Sequence, residues 1–189
     1  MVLQCEPGWR DEDLSAESGC EAQVAEPGTI FVDDDAEPDG DGTQDRPYAD
    51  LHVALDAVER DGRVVVLPGR YPDGPYTLAT EGVLLVSQSA GEATLMAVDG
   101  EEVVRVTGRH ARLQGFSIDG QDHTVGVLVL CAAGCAVVGN TLTGLTGPGG
   151  PVAAIRVQGG DAIDVAANRV ADVVCQGPGT NECVGIRIE

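Results

Sequence analysis

The chain has 189 residues, enough for one domain with an apolar core, and 43% of them are hydrophobic although only 3% are aromatic. Its 31 acidic and 11 basic residues give a formal net charge of −20, which argues against nucleic-acid binding because phosphate recognition needs clustered cations. All 11 basic residues are arginines, so chemistry that requires a lysine, such as Schiff-base formation, is excluded. No apolar run is long enough to predict a membrane span.

Residues 1–27 form an N-terminal segment that contains Cys5 and Cys20. The segment lacks the basic and apolar regions of a signal peptide. At the other end of the chain, residues 185–189 still follow an alternating apolar pattern. We therefore expect a monomeric piece of a longer secreted protein, located outside the cell or on its surface.

Residues 28–189 are predicted to form one domain, which opens with a strand at residues 29–32. An acidic loop, residues 33–45, follows that strand and alternates Asp with Gly, so that several carboxylates could converge on one cation. The candidate calcium ligands are Asp33, Asp35, Asp39 and Asp41. A solvated turn without a metal is the alternative.

Residues 50–59 predict a short amphipathic helix. Apolar residues at 51, 54, 55 and 58 share one helical face, and Asp50 is a suitable N-cap. The helix directly precedes a region of repeats. We therefore place it as a lid over the N-terminal end of that region, where it completes the segment 28–62.

Residues 63–189 contain pairs of aliphatic residues at positions i and i+2 that recur at intervals of 20 to 31 residues. Three such columns advance nearly in step, which predicts about five to six coils of three short strands each. We expect Val66, Val86, Val106, Val129 and Val157 to stack in one interior column. The other two columns are Leu78, Val98, Ile118, Leu142 and Val170, and Leu113, Val137 and Val165.

The lengthening interval indicates that one corner of the coil accepts insertions. Gly- and Pro-containing stretches at residues 120–125, 144–151 and 172–184 supply them. Asn140 and Asn168 fall at equivalent corners, where stacked side-chain amides can bond to each other and Asn tolerates a left-handed backbone. The repeat thus predicts an all-β parallel β-helix.

Six cysteines form three close pairs in the sequence: Cys5 and Cys20, Cys131 and Cys135, and Cys175 and Cys183. An even number in local pairs is typical of disulfides made in an oxidising compartment. Zinc is the weaker alternative, because no pair of CxxC motifs is present and the three histidines are scattered.

The stretch from Phe31-Val32-Asp33 through Pro47-Tyr48 and the helix to the strand VVVLPGRY at 64–71 resembles the opening of pectate-lyase-like right-handed parallel β-helix proteins. The resemblance covers residues 28–189 and implies their fold. That family includes polysaccharide lyases, glycoside hydrolases, epimerases and members without catalysis. Residues 5–22 are similar to short cysteine loops of modular secreted bacterial proteins.

Three arginines are predicted to line one outward column. Arg105, Arg156 and Arg187 occupy the same outward position on equivalent strands of three coils. Leu128 occupies that position on the coil between the first two. Guanidinium groups bind carboxylates and sulfates, so the column predicts a site for an anionic polysaccharide, with Leu128 available to pack against a sugar. A solvated strand face is the alternative.

Catalytic residues are harder to find. The resemblance to inverting hydrolases of this fold would imply paired Asp motifs, Gly-His-Gly and Arg-x-Lys, and none is present. Asp119, Asp122 and His123 are candidates for a carboxylate–imidazole cluster. Two readings stay open: a non-catalytic module that binds carbohydrate or serves as a structural unit, and a polysaccharide lyase or hydrolase with catalytic residues partly outside this chain.

Overall fold

A computed structural model describes residues 28–148, 151–176 and 182–189, together with the strands Trp9–Arg10 and Ala22–Gln23. These two strands pair antiparallel. Cys5 and Cys20, and with them the predicted first disulfide, lie outside the described residues. No helix in the described ranges is long and apolar enough to cross a membrane.

Three parallel sheets run along the domain, and each pass of the chain adds one strand to each of them. Sheet 1 contains Thr29–Val32, Arg63–Val66, Leu84–Ser87, Arg112–Gln114, Ala136–Val138 and Asp164–Ala166. Sheet 2 contains Gly69–Gly74, Ala93–Ala97, Ser117–Asp119, Thr141–Thr143 and Arg169–Val170. Sheet 3 contains Tyr76–Leu78, Glu102–Val106, Val125–Val129, Val152–Val157 and Cys183–Ile188. This arrangement confirms the predicted parallel β-helix.

The predicted interior columns are right in the later coils and wrong in the first two. Val106, Val129 and Val157 stack in register in sheet 3, as expected, but Val66 belongs to sheet 1. In sheet 1 Val64 pairs with Leu85, so Leu85 points inward and Val86 does not. The first coil has very short connections and places its third strand at Tyr76–Leu78. The 20-residue interval between aliphatic pairs gave no indication of this strand.

The second predicted column misplaces two residues. Ile118, Leu142 and Val170 align in sheet 2, whereas Leu78 lies in sheet 3 and Val98 lies outside any strand with 68% of its surface exposed. The third column is confirmed. Leu113, Val137 and Val165 stack in sheet 1.

The capping helix spans Leu51–Ala57. Asp50 is its N-cap, and its Oδ1 accepts a hydrogen bond of 2.7 Å from the backbone amide of His52. Leu51, Ala54 and Leu55 are buried against the core. The helix therefore covers apolar surface that the N-terminal end of the coils would otherwise expose.

Asn140 and Asn168 stack at the corner between sheets 1 and 2. The Phe116 amide donates to Asn140 Oδ1 at 2.9 Å, and Asn140 Nδ2 donates to Asn168 Oδ1 at 3.0 Å. Asn140 Nδ2 is also 3.3 Å from the Leu113 carbonyl oxygen. The ladder thus satisfies polar backbone groups at a tight corner, as predicted.

Insertions fall at the corner between sheets 2 and 3, as the lengthening repeat predicted. Two of them contribute a small parallel sheet of Leu145–Pro148 and Val173–Gln176. A disulfide joins Cys175 to Cys183 and closes the last insertion, and a second joins Cys131 to Cys135. Both predicted bridges within the described residues are therefore present.

Val129 tests the interior column. The side chain has no exposed surface, and an aspartate there would be an unpaired buried charge, so we expect Val129→Asp to cost more than about 4 kcal/mol and to abolish cooperative thermal unfolding. Val98→Asp is the matched control, because its side chain is exposed, and it should melt within a few degrees of the parent. Circular dichroism during heating measures both; a parent-like melt of the first variant would refute the column.

Asn140 tests the corner ladder. Asn140→Ala leaves the buried Phe116 amide without its acceptor, so we expect a loss of about 2–4 kcal/mol in the free energy of unfolding. Asn168→Ala should cost less, because Asn168 is only half-buried. Urea titrations give both values, and equal small losses would contradict the role of the ladder.

Candidate functional site

The predicted arginine column exists on the outer face of sheet 3. Arg105 is in register with Leu128, Leu128 with Arg156, and Arg156 with Arg187. Each residue of this series lies one coil after the previous one, so their backbones are about 4.8 Å apart. We call these three arginines, with Leu128, the arginine row.

Every arginine of the row has a carboxylate partner, which the sequence analysis did not foresee. Arg105 donates to the buried Glu102, and its Nε lies 2.6 Å from Glu102 Oε1. Arg156 NH1 donates to Glu101 Oε1 at 2.9 Å. The row is therefore a set of ion pairs rather than a strip of free cations.

Arg187, at the end of the row, has two acidic neighbours. Its Nε lies 2.7 Å from Glu189 Oε1, and its NH1 lies 3.4 Å from Glu182 Oε2. Gln158 also donates to Glu189, and this hydrogen bond, with the nearby guanidinium of Arg187, holds the pKa of the Glu189 carboxyl below its usual range. Glu189 therefore stays ionised at neutral pH.

The centre of the row is closed. The Arg156–Glu101 ion pair joins the coils on either side of Leu128, and Leu128 is only 6% exposed. The Arg156 side chain is 12% exposed, and its Nε is buried without a hydrogen-bond partner. Leu128 therefore offers little surface for a sugar, contrary to the expectation from its position.

The carboxylates reverse the local charge. Three arginines contribute +3, and the four glutamates that contact them contribute −4, which leaves a formal charge of −1. Glu101 precedes the Arg105 strand, Glu102 begins it, and Glu182 and Glu189 flank the Arg187 strand. For Glu102, Glu182 and Glu189, nearness in sequence to the partner arginine was the signal that could have found the ion pair, whereas no such signal exists for Glu101 and Arg156.

The structure brings two of the three catalytic candidates together. Asp122 and His123 line a shallow surface depression with Glu101, the partner of Arg156, and Asp119 does not line it. Asp122 Oδ1 accepts a hydrogen bond from the Thr146 hydroxyl at 2.7 Å. Asp119 instead accepts from the backbone amide of Gln121.

His123 is held by the main chain. Its Nδ1 lies 2.6 Å from the Gly120 carbonyl oxygen, and its Nε2 lies 3.3 Å from that of Asp99. Both ring nitrogens thus face backbone oxygens. Proton transfer to a substrate would require one of these contacts to break.

The acidic loop divides the four candidate calcium ligands into two groups. Asp33 and Asp35 lie together with Asp34, with one oxygen of each within 4.8 Å of the others. Asp39 and Asp41 instead bind the guanidinium of Arg46, at 3.1 and 3.2 Å.

Asp41 has a second partner in the same loop. A side-chain hydrogen bond from Thr43 lowers the pKa of the Asp41 carboxyl, with Arg46 contributing less. Two of the four predicted ligands therefore already have a cation and hydrogen-bond donors beside them. A calcium ion would compete with these contacts at Asp39 and Asp41, whereas at Asp33 it would compete only with the hydrogen bond that the Asp35 amide donates to Asp33 Oδ1.

The fold resembles that of solved structures. A rhamnogalacturonan lyase is 12% identical, with a TM-score of 0.56 over 85% of this chain and 65% of the lyase. The pectin methylesterase PemA from Erwinia chrysanthemi is 13% identical, with a TM-score of 0.45 over 69% of this chain and 49% of the esterase. A pectin methylesterase from Aspergillus niger is 13% identical, with a TM-score of 0.43 over 88% of this chain and 68% of the esterase.

No protein-family model matches the sequence, and no curated protein matches it significantly. At 12% identity the likeness to the lyase establishes the fold alone, and the two esterases superpose too loosely to add to it. The chain thus shares its parallel β-helix fold with the lyase, as its opening residues implied. It spans 65% of the length of the lyase.

Calcium binding stays a prediction that thermal unfolding can test. If Asp33 and Asp35 bind calcium, about 10 mM calcium should raise the melting temperature by a few degrees, since a ligand that binds only the folded state stabilises it. Asp33→Asn with Asp35→Asn should remove the shift, and Asp39→Asn with Asp41→Asn should reduce it less. The absence of a shift in the parent protein would contradict calcium binding.

Proposed function

We propose that this chain is a secreted, non-catalytic β-helix module that binds a polysaccharide along the arginine row. The observation that carries the proposal is the register of Arg105, Arg156 and Arg187, which repeats charged hydrogen-bonding groups along the axis of the coils. A polymer of sugars laid along this axis meets a charged group at three of four successive coils, which are about 4.8 Å apart.

Three further observations support the proposal. The same fold occurs in a rhamnogalacturonan lyase, a protein that acts on a polysaccharide. The local disulfides Cys131–Cys135 and Cys175–Cys183 are consistent with export, because such bridges persist in oxidising compartments. The arrangement of His123, whose nitrogens both face main-chain oxygens, favours binding over catalysis.

The second candidate is an enzyme of the polysaccharide lyase or glycoside hydrolase class. It is favoured by the depression that holds Asp122 and His123, because Glu101 belongs both to this depression and to the arginine row. A substrate bound along the row would therefore pass beside these side chains. Catalytic residues outside this chain would have to complete the site.

Binding through the row is tested with two double variants. Arg156→Ala with Arg187→Ala removes two adjacent guanidinium groups and should weaken polysaccharide binding at least about tenfold, which is about 1.4 kcal/mol. Arg63→Ala with Arg112→Ala is the matched control, because both exposed arginines pair with Leu84 on sheet 1. Isothermal titration with soluble neutral and acidic polysaccharides measures the affinities. An equal effect of both double variants would place binding elsewhere, and no binding by the parent would refute the proposal.

Catalysis is tested on the same polysaccharides. The proposal expects no release of unsaturated products or new reducing ends by the parent protein, measured by ultraviolet absorbance and a reducing-sugar assay. Turnover that His123→Ala abolishes, while binding persists, would favour the enzyme instead.

A further inference from the structure

The most exposed charged groups of the arginine row are carboxylates. The side chains of Glu101 and Glu182 are 56% and 65% exposed, whereas that of Arg156 is 12% exposed. At Arg156 and Arg187 an approaching ligand thus meets hydrogen-bond acceptors first, because the guanidinium groups are less exposed than the carboxylates that engage them. At the other end of the row Arg105 is 44% exposed and its partner Glu102 is buried.

An acidic polysaccharide gains little on such a face. At Arg156 and Arg187 its carboxylates would have to displace Glu101, Glu182 or Glu189, so that one ion pair would merely replace another. The local formal charge is −1 and that of the chain is −20, and both repel a polyanion on approach. A polycation, in turn, would meet the arginines as like charges.

An uncharged sugar neither displaces a glutamate from its arginine nor is repelled by the net negative charge. Each hydroxyl both donates and accepts a hydrogen bond, so one diol can donate to a glutamate and accept from the adjacent guanidinium without separating the pair. Arg187 and Glu189 provide such a pair at one end of the row, and at the other end the exposed Arg105 can donate to a hydroxyl oxygen while Glu102 stays buried. Three coil spacings of about 4.8 Å separate the two arginines, so the row is about 14 Å long, the scale of a short oligosaccharide.

We infer that the ligand of the arginine row is an uncharged polysaccharide and that the glutamates, with the arginines, bind its hydroxyl groups. This inference rests on the proposed function, since it names the class of polysaccharide bound at the same face. It replaces the anionic ligand expected from the arginines alone, because the four carboxylates were not visible in that pattern.

The first experiment compares ligand classes with the parent protein. Affinities are measured by isothermal titration for neutral galactan, arabinan and hydroxyethylcellulose, and for polygalacturonate and alginate, at about 50 and about 500 mM sodium chloride. We expect at least one neutral polymer to bind at least about tenfold more tightly than either acidic polymer. The affinity for that polymer should change less than about twofold between the two salt concentrations, because no net charge is neutralised.

The second experiment changes the charge of the face. Glu101→Gln with Glu182→Gln keeps the side-chain shapes and raises the local charge from −1 to +1. It should weaken binding of the neutral polymer at least about threefold and strengthen binding of polygalacturonate. The matched control, Glu59→Gln with Glu92→Gln, makes the same change in net charge at exposed positions that take no part in the row, and it should leave the neutral affinity unchanged.

The outcomes separate the two proposals. Tighter binding of an acidic polymer by the parent, or equal effects of both pairs of glutamine variants, overturns the uncharged ligand but leaves polysaccharide binding intact. If the parent protein binds none of the polymers, neutral or acidic, the proposed function itself is overturned. Neutral binding that survives Arg156→Ala with Arg187→Ala removes the row as the site and overturns both.

Discussion

Each coil of this protein hydrogen-bonds in parallel to the coil before it, and equivalent residues therefore stack directly above one another. Apolar residues satisfy this constraint readily, because stacked aliphatic side chains fill the interior. The column of Leu85, Leu113 and Val137 shows the result, with no exposed surface at any of the three. At the corner, Asn140 and Asn168 meet the same constraint by bonding to one another and to the backbone.

The constraint is less favourable for charged residues, since it stacks like charges as well. Arg156 and Arg187 are in register, with backbones about 4.8 Å apart. Two unit charges at that separation repel by about 1 kcal/mol in water and by about 3–4 kcal/mol near a protein surface. Carboxylates at the strand ends relieve this repulsion. The glutamates thus have a structural reason to be present whatever the row binds, and in the proposal above they also select its ligand.

At the corners between the sheets, equivalent residues of successive coils are less strictly required to stack in register. The corner between sheets 1 and 2 has two residues in four of the five coils and five in the second, and Gly139 and Ala167 lie there with φ values of +68° and +55°. The corner between sheets 2 and 3 accepts insertions, which pair with each other as a small sheet and are closed by the Cys175–Cys183 bridge. These insertions border the strands that carry the arginine row, so they shape the face on which a polymer would lie.

The sequence by itself determined the solenoid, the capping helix, the two described disulfides and the column of three arginines. All of these depend on local patterns or on a repeat, and the repeat carries positional information from coil to coil. Only the tertiary structure decided the inward residues of the first two coils, because their short connections shift the strands relative to the repeat. It also decided the charge of the site. Glu101 and Arg156 are 55 residues apart in the chain, and only the stacking of coils brings a carboxylate from one turn onto an arginine two coils away.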